Sequence, residues 1–586
     1  MSRVSLAGRA KLTALLLRVG LRKLAAHLNG RPVLRWRYAL GKTDRLIIAP
    51  QDLRTADATR AAEIYAGRFA FAGKIVICDG HSPFEIASPS GEWAADLLGF
   101  GWLRHLRAAD SGITRANARA LVDEWIALQG SWNATAWRPD ILSRRIVAWF
   151  SHSPMLLNDA DVQFYRRFMR SLLRQVRYLR SNAKAARDGV HRLNAVIALT
   201  YAALCLAGQS RHLRHTARWL VLELERQILA DGGHISRNPD ALVDLLLDLL
   251  PLRQAFFSRN VSPPPALLYA IDRMMPMLRF FRHGDGNFAH FNGMGATQPD
   301  LLATALAYDD ARGRPVANAP HSGYQRIDAS GVVLLMDTGR PPPMSVSHEA
   351  HAGCLSFELS AKAQRIIVNC GIPTTSRETW RQVARATAAH STVSFNDTSS
   401  CRFVESESLR RLLDGAPIIS GPVDVRLSRD DRAETVVLHA SHDGYAARYN
   451  VIHRRSLMLA GDGGRLDGED SFEPAGGGAL PAGKHDEFAV RFHLHPSIKA
   501  NRLTDGHGVM LLMPNREVWN FSAYENDVEI EESVYLAGAD GPRRTVQIVI
   551  YGSAHKAPLV RWSFAYTARA APGERVAAEH QPELPL

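Results

Sequence analysis

The chain has 586 residues, 46% hydrophobic and 22% charged, the balance of a globular protein and a length too great for one ordinary core. Its 71 Lys and Arg against 58 Asp and Glu give a formal net charge of +13, which favours an acidic partner such as a nucleic acid, an anionic membrane or an acidic polysaccharide. Cys78, Cys205, Cys354, Cys370 and Cys401 stand singly without C-x-x-C spacing, which argues against a disulfide framework and a cysteine-zinc site, and no stretch reaches the ~18 uninterrupted apolar residues of a membrane span.

Residues 1–50 form a basic N-terminal segment in which no acid precedes Asp44, whereas Arg3, Arg9, Lys11, Arg18, Arg22 and Lys23 all do. Leu17, Leu21, Leu24 and Leu28 recur at helical spacing beside Arg18 and Arg22. That pattern predicts an amphipathic helix within residues 1–30, which either lies on an anionic membrane surface or packs as an ordinary first helix. Arg18 and Arg22 interrupt the apolar run and no small-residue cleavage site follows, so the segment does not read as a signal peptide.

Residues 51–315 read as helix after helix. Trp93 to Ala108, Asn117 to Gln129, Pro139 to Phe150, Gln163 to Leu179, Leu193 to Leu206, Arg214 to Leu229, Ala241 to Leu252 and Pro265 to Phe280 show apolar residues at three- and four-residue spacing. Short polar links predict antiparallel neighbours. Trp102, Arg104, His105, Trp137, Arg138 and Trp149 combine flat apolar faces with cationic or polar groups suited to acidic sugars, although tryptophans at such spacing also serve as core. D-G-G-H-I-S-R-N-P breaks two helices and places His234 and Arg237 at a rim. Asp244 and Asp248 share a helix face that reads as solvated. The Gly- and Asn-rich stretch 284–298 reads as a loop at a cleft edge, offering Asp285, Asn287, His290 and Asn292.

From residue 320 to 570 the apolar period changes to two. Ten or more strand-length runs without intervening helices, among them Gly331 to Asp337, Cys354 to Leu359, Arg365 to Asn369 and Val451 to Leu459, predict a large antiparallel sandwich. Gly461 to Gly483 reads as an exposed loop within it, and residues 571–586 as a disordered tail. The densest chemistry lies between Ser347 and Phe395, where His348, His351, His390, Glu349, Asn369 and Arg385 gather at strand ends. Imidazoles, a carboxylate, an amide and a guanidinium together suit metal binding or acid–base work on an anionic substrate; the plain alternative is a set of surface histidines.

This stretch, S-H-E-A-H-A-G-C-L-S-F-E-L-S followed by R-I-I-V-N-C-G and R-A-T-A-A-H-S-T-V-S-F, resembles the signature of the heparinase II/III-like polysaccharide lyases. That signature runs H-x-H-x-D…S-F, then V-D-x-G, then R…A-H-N-T. F-G-W-L-R-H-L around Trp102, D-G-V-H-R-L-N around His191 and A-D-G-G-H-I-S-R-N-P around Gly233 extend the resemblance over most of the chain, which looks like the alphaproteobacterial type. It implies a multidomain α+β fold, an incomplete (α/α) toroid followed by an antiparallel β-sandwich. It also implies β-elimination on a uronate-containing polysaccharide: the carboxylate is neutralised, a base takes the C5 proton and an acid, often tyrosine, protonates O4.

The departures from the family pattern are specific. The asparagine-histidine pair that opens one helix reads Val190-His191 here, and the tyrosine expected after the rim proline is replaced by Asp240-Ala241-Leu242. In H-x-H-x-D the first histidine is Glu349, the second His351 and the aspartate Gly353, while the V-D-x-G acid is Asn369 and the A-H-N-T histidine is His390. The resemblance thus assigns His191, Glu349 and His234 as catalytic candidates, with Tyr445 a further available acid, and Arg237, Arg385, Trp102 and His348 as substrate-binding candidates. No cofactor is required; His351, Asn369 and His390 are the set for a structural zinc ion, held weakly because an amide brings no charge.

Two functions are therefore compatible with the chain. One is a divergent lyase acting on an acidic polysaccharide, and the other is a non-catalytic glycan-binding or envelope-associated protein on the same scaffold. Nucleic acid is not an expected partner. The resemblance places the protein in the bacterial cell envelope or periplasm; the missing signal peptide points instead to a cytoplasmic or membrane-peripheral site.

Overall fold

The computed structural model describes residues 6–29, 38, 45–128, 133–309, 313–373, 378–483 and 485–569; the expected tail 571–586 lies outside them, as do parts of the 1–50 segment. The chain is an incomplete toroid of helices followed by a sandwich of two antiparallel sheets. Among the described residues no helix is long and apolar enough to cross a membrane.

The helices begin where short polar side chains satisfy their first N–H groups. Asp57 accepts from Thr59, Ser90 from Trp93 and Asp161 from Phe164, while Pro139 supplies the fixed φ of a first helical residue. The helix Val190–Cys205 is buried from Arg192 to Cys205 and packs against Pro139–Ser151, Ser210–Gln227 and Asp240–Ser258. It is the centre of the helical half, so its N-terminus is held rigidly.

Four expectations about local structure are corrected. The predicted helix Trp93 to Ala108 breaks at Phe100, which adopts φ 59° and separates Gly91–Gly99 from Leu103–Ala109; the Trp102 indole N–H then donates to the Leu97 carbonyl at 2.9 Å. A hairpin, Arg68–Phe71 paired with Lys74–Ile77, precedes these helices. Asp248 is buried and Asp244 only partly open, and both are ion-paired: Arg54 donates to Asp248 Oδ1 at 2.8 Å and to Asp244 Oδ1 at 2.9 Å, and Arg144 grips the other two oxygens. Gly461 to Gly483 contains the ten-residue strand Arg465–Pro474. Its alternation was hidden by Gly468, where a Cβ would meet the Trp562 ring at 2.2 Å, so glycine here makes room for tryptophan.

One sheet runs in the order Glu529–Tyr535, Arg543–Ser553, Glu487–Leu494, Gln364–Val368, Phe357–Ala361, Val332–Asp337, Tyr324–Ala329, Asn318–Ala319, with Val393–Phe395 also pairing with Glu487–Leu494. Among the described residues the second has eight strands, from Val425–Asp431 to Lys499–Arg502. The strand Val332–Asp337 is buried on both faces. Val332, Leu334 and Met336 join the core between the sheets, while Val333 and Leu335 join the core of the helices. A period of two shared between two cores welds sandwich to toroid, and the loops at that weld form the site.

Candidate functional site

A cavity of about 200 Å³ opens between helical rim and sandwich, lined by Arg187, His191, His234, Asn238, Asp240, Asp244, Asn292, His348 and Glu349. A second space of about 260 Å³ shares Arg187, Asn238, Asp240, His348 and Glu349 and extends to Arg381, Arg385 and Asp414. The two form one cleft. The structure thus brings His191 and His234 of the rim together with His348 and Glu349 of the sandwich loop.

His191 opens the central helix and accepts from Arg187 at Nε2, which leaves its proton on Nδ1. Burial, and after it the Arg187 charge, lowers its pKa to about 4, so it is neutral at pH 7 and able to accept a proton. His234 is also neutral, lowered to about 3 by burial, but its ring is saturated. Nδ1 accepts from the Ser236 N–H at 3.1 Å, and Nε2 donates to Gln227 Oε1 at 3.0 Å. It shapes the rim and has no nitrogen left for a substrate. Burial, then Arg187 and Arg385, hold His348 at about 3, and its buried Nδ1 has no hydrogen-bond partner among the described residues. Glu349 is exposed at the cleft mouth.

Asp240, which begins the helix Asp240–Ser258, is the group that sequence reasoning passed over. Crowding by the cleft walls, reinforced by the like charges of Asp244 and Glu349, raises its pKa to about 7; it still opens to water in the cleft, which screens part of that repulsion. Asp244 behaves oppositely. Burial works to raise it, but Arg144 and Arg54 overcome that and hold it at about 2. The signals for Asp240 in the chain were a polar residue directly after the rim proline and a second acid, Asp244, one helical turn on.

Three of the four substrate-binding candidates are turned away from the cleft or tied down. Trp102 is core, as are Trp137 and Trp149. Arg237 adopts φ 64° and donates to the carbonyls of Ser322, Gly323 and Arg340 and, at 2.6 Å, to Asp337 Oδ1, with Tyr324 stacked 4.6 Å away. It is a buried lock between rim and sandwich. Arg385 lines the cleft but donates to the carbonyls of Ala350 at 2.8 Å and Ser347 at 2.9 Å, so it positions the loop carrying His348 and Glu349. Tyr445 is buried and donates to the Val393 carbonyl at 2.8 Å, out of reach of any substrate.

His351 and His390 do converge, but on each other. His390 Nδ1 donates to the Ala386 carbonyl at 2.8 Å, so its Nε2 accepts from His351 Nδ1 at 2.9 Å. Asn369 Oδ1 accepts from the Ser391 N–H at 3.0 Å. A zinc ion does not fit this set: both His390 nitrogens are engaged, and among the described residues no three His, Cys, Asp or Glu gather as a metal would need. At Gly353, the family's aspartate position, a Cβ would stand 2.7 Å from His390 Cδ2. The pair has closed over the place where a carboxylate would stand.

Behind the pair lies Glu358, fully buried on the strand Phe357–Ala361. Its Oε1 accepts from the backbone of His290 at 2.9 Å and of Asn369 at 3.0 Å, and Oε2 contacts His283 Nε2 at 3.1 Å. His290 therefore belongs to this junction and not to a substrate surface, while Asn292 donates to Tyr324 and Asp337. An acid on the inward phase of an apolar strand was the available clue.

Comparison with known proteins now places the chain. The family described as Heparinase II/III-like, C-terminal, matches residues 311–563. FtsZ-localized protein C of Caulobacter vibrioides (strain NA1000 / CB15N) is 33% identical over 509 residues, covering 86% of this chain and 87% of that protein. Heparinase III overlays with a TM-score of 0.66 at 14% identity over 94% of this chain and 91% of that one. Heparan sulfate lyase HepC of Pedobacter heparinus gives 0.60 at 15% over 92% and 88%. At such identities the two structures speak to fold alone; they agree with the family model, which establishes that this chain belongs to the heparinase II/III-like family.

Proposed function

We propose that this chain is a non-catalytic member of the family, a protein of the membrane surface that works with FtsZ on a polysaccharide-lyase scaffold. The carrying observation is the charge of the cleft. Asp240 and Glu349 line it without an ion-pair partner among the described residues, while Asp188, Asp244 and Asp414 border it already paired with arginine or lysine; of the cations, Arg187 is engaged with His191 and the Asp414 carbonyl, Arg385 is spent on carbonyls, and Arg381 is paired with Glu92. A uronate carboxylate entering there meets like charge, where a lyase needs a neutralising group. The relative that matches along nearly its whole length is named for localisation with FtsZ, which supports the same setting here.

The helix Leu6–Asn29 supports the membrane part. It rests on both domains, with Lys23 Nζ 3.0 Å from Asp414 Oδ1, and Arg22 3.8 Å from Asp188, while Leu17, Leu21, Leu24 and Leu28 are 64, 67, 55 and 41% exposed. A leucine stripe facing outward beside Arg18 and Lys11 suits insertion at an anionic headgroup layer. The test is co-sedimentation of the full chain with polymerised FtsZ, with and without phosphatidylglycerol vesicles. The reading expects a pellet containing all three, and absence of the chain from both FtsZ and vesicle pellets would refute it.

A second reading, β-elimination on a uronate polymer, draws on one observation. Asp240, protonated near neutral pH, shares the cleft with neutral His191 and with Glu349, which is an acid–base set. It predicts new ultraviolet absorbance from unsaturated product ends.

A further inference from the structure

Where the first helix meets the toroid, arginines outnumber the acids that face them. Asp188, its side chain 2% exposed, is approached by Arg226 at 3.6 Å, Arg22 at 3.8 Å and Arg18 at 3.9 Å, and more closely by Arg192. The other carboxylate in the group is Glu223, which accepts from Arg226 Nη2 at 2.6 Å. Among the described residues four guanidiniums thus meet two carboxylates, leaving a surplus of two positive charges. Three of the four approach Asp188 no closer than 3.6 Å, beyond hydrogen-bond reach, and the buried Arg192 Nε, like the two Asp188 carboxylate oxygens, has no hydrogen-bond partner among the described residues. Arg22 and Arg192 are largely shielded, at 19 and 11% side-chain exposure, while Arg18 and Arg226 open to solvent at 62 and 40%.

Like charges at this spacing repel unless an anion joins them. Burial lowers the pKa of Arg22, and the charge of Arg192 adds to that while Asp188 opposes it. Planar guanidinium forks match the oxygens of a tetrahedral phosphoryl group, and a dianion carries the charge that the cluster is short of. None of the four arginines lines the interdomain cleft.

We infer that Arg18, Arg22, Arg192 and Arg226 form a binding site for a phosphoryl anion, which ties the first helix to the toroid. The chemistry is shared by a phospholipid headgroup and a free phosphate ester. The site stands whether or not the cleft is catalytic.

The full chain is titrated calorimetrically with inorganic pyrophosphate at low and moderate salt, and separately with phosphatidylcholine vesicles with and without phosphatidate. Pyrophosphate binding is expected to saturate at one site, to weaken at least tenfold in R226Q and in R22Q, to recover in part in R226K, and to stay unchanged in R432Q, an exposed arginine paired with Asp430 on the sandwich. If R226Q also loses affinity for phosphatidate vesicles, the source is a headgroup. If it binds them as the parent does, the source is a soluble phosphate. Absence of saturable pyrophosphate binding, or equal binding by the parent, R22Q and R226Q, would overturn the site.

Discussion

Two carboxylates a few residues from the same interdomain seam behave oppositely. Glu358 is fully buried, yet backbone N–H groups, His283 and the Arg365 guanidinium at 3.8 Å surround it. Burial acts to raise its pKa, and His290 and His283 reverse that and hold it well below the ordinary range. Asp240 at the cleft is pushed up by burial and then by its neighbours Asp244 and Glu349, with no cation among the described residues to reverse it. One acid is fully satisfied as structure; the other sits where its surroundings oppose its charge and hold it partly protonated near neutral pH. Unneutralised groups in a cleft mark where a ligand or partner is expected to act, whereas satisfied ones mark what holds the cleft in shape.

The largest effect should come from breaking the satisfied side. Glu358→Ala strips the acceptor from two backbone N–H groups and from His283 and leaves Arg365 with less negative charge, so denaturation should show a loss of about 3–5 kcal/mol. A loss below about 1 kcal/mol would mean that Glu358 is not the lock described. Gly339→Ala tests the neighbouring lock more gently. A Cβ there would lie 2.4 Å from Arg237 Nη2, and overpacking against a guanidinium fixed by four acceptors should cost about 1–3 kcal/mol.

Asp240→Asn should act with the opposite sign. Because the folded pKa is raised from 3.8 to about 7, the unfolded chain ionises first, and this residue's contribution to stability falls as pH rises from about 4 to 7 and then levels off. The variant should melt higher than the parent at pH 8 and at the same temperature at pH 4. A variant less stable at pH 8 would show that the carboxylate is neutralised after all. The smallest effect on stability, within about 0.5 kcal/mol, is expected from Leu17→Gln with Leu21→Gln, since both are exposed; vesicle binding should nonetheless fall, and unchanged binding would return the first helix to an ordinary packing role.

How much of this was legible in the sequence follows from what each feature depends on. The switch of apolar period near Pro320 depends on local pattern, and it separates helices from strands as read. The approach of His351 to His390 was legible for the same reason, since both flank consecutive strand segments. Arg237 was misread because its polar loop does lie at a rim, while the side chain's direction depends on a positive φ and on Asp337, a hundred residues away. Asp240 carried only part of its environment locally: Asp244 lies one turn on in the same helix, but the burial and the approach of Glu349 come only after the toroid docks on the sandwich. Arg54 and Arg144, which neutralise Asp244 and Asp248, come from two further segments, so the solvated helix face inferred from spacing became a partly shielded ion cluster at the cleft wall.

The central claim, that the cleft no longer performs elimination, is tested most directly by incubating the full chain with heparan sulfate, other glycosaminoglycans and bacterial uronate polymers while following ultraviolet absorbance of unsaturated ends. The account predicts no rise above the protein-free control on any of them. A rise that is lost in Asp240→Asn or His191→Ala, with both variants folded, would contradict it and assign the cleft's acid and base.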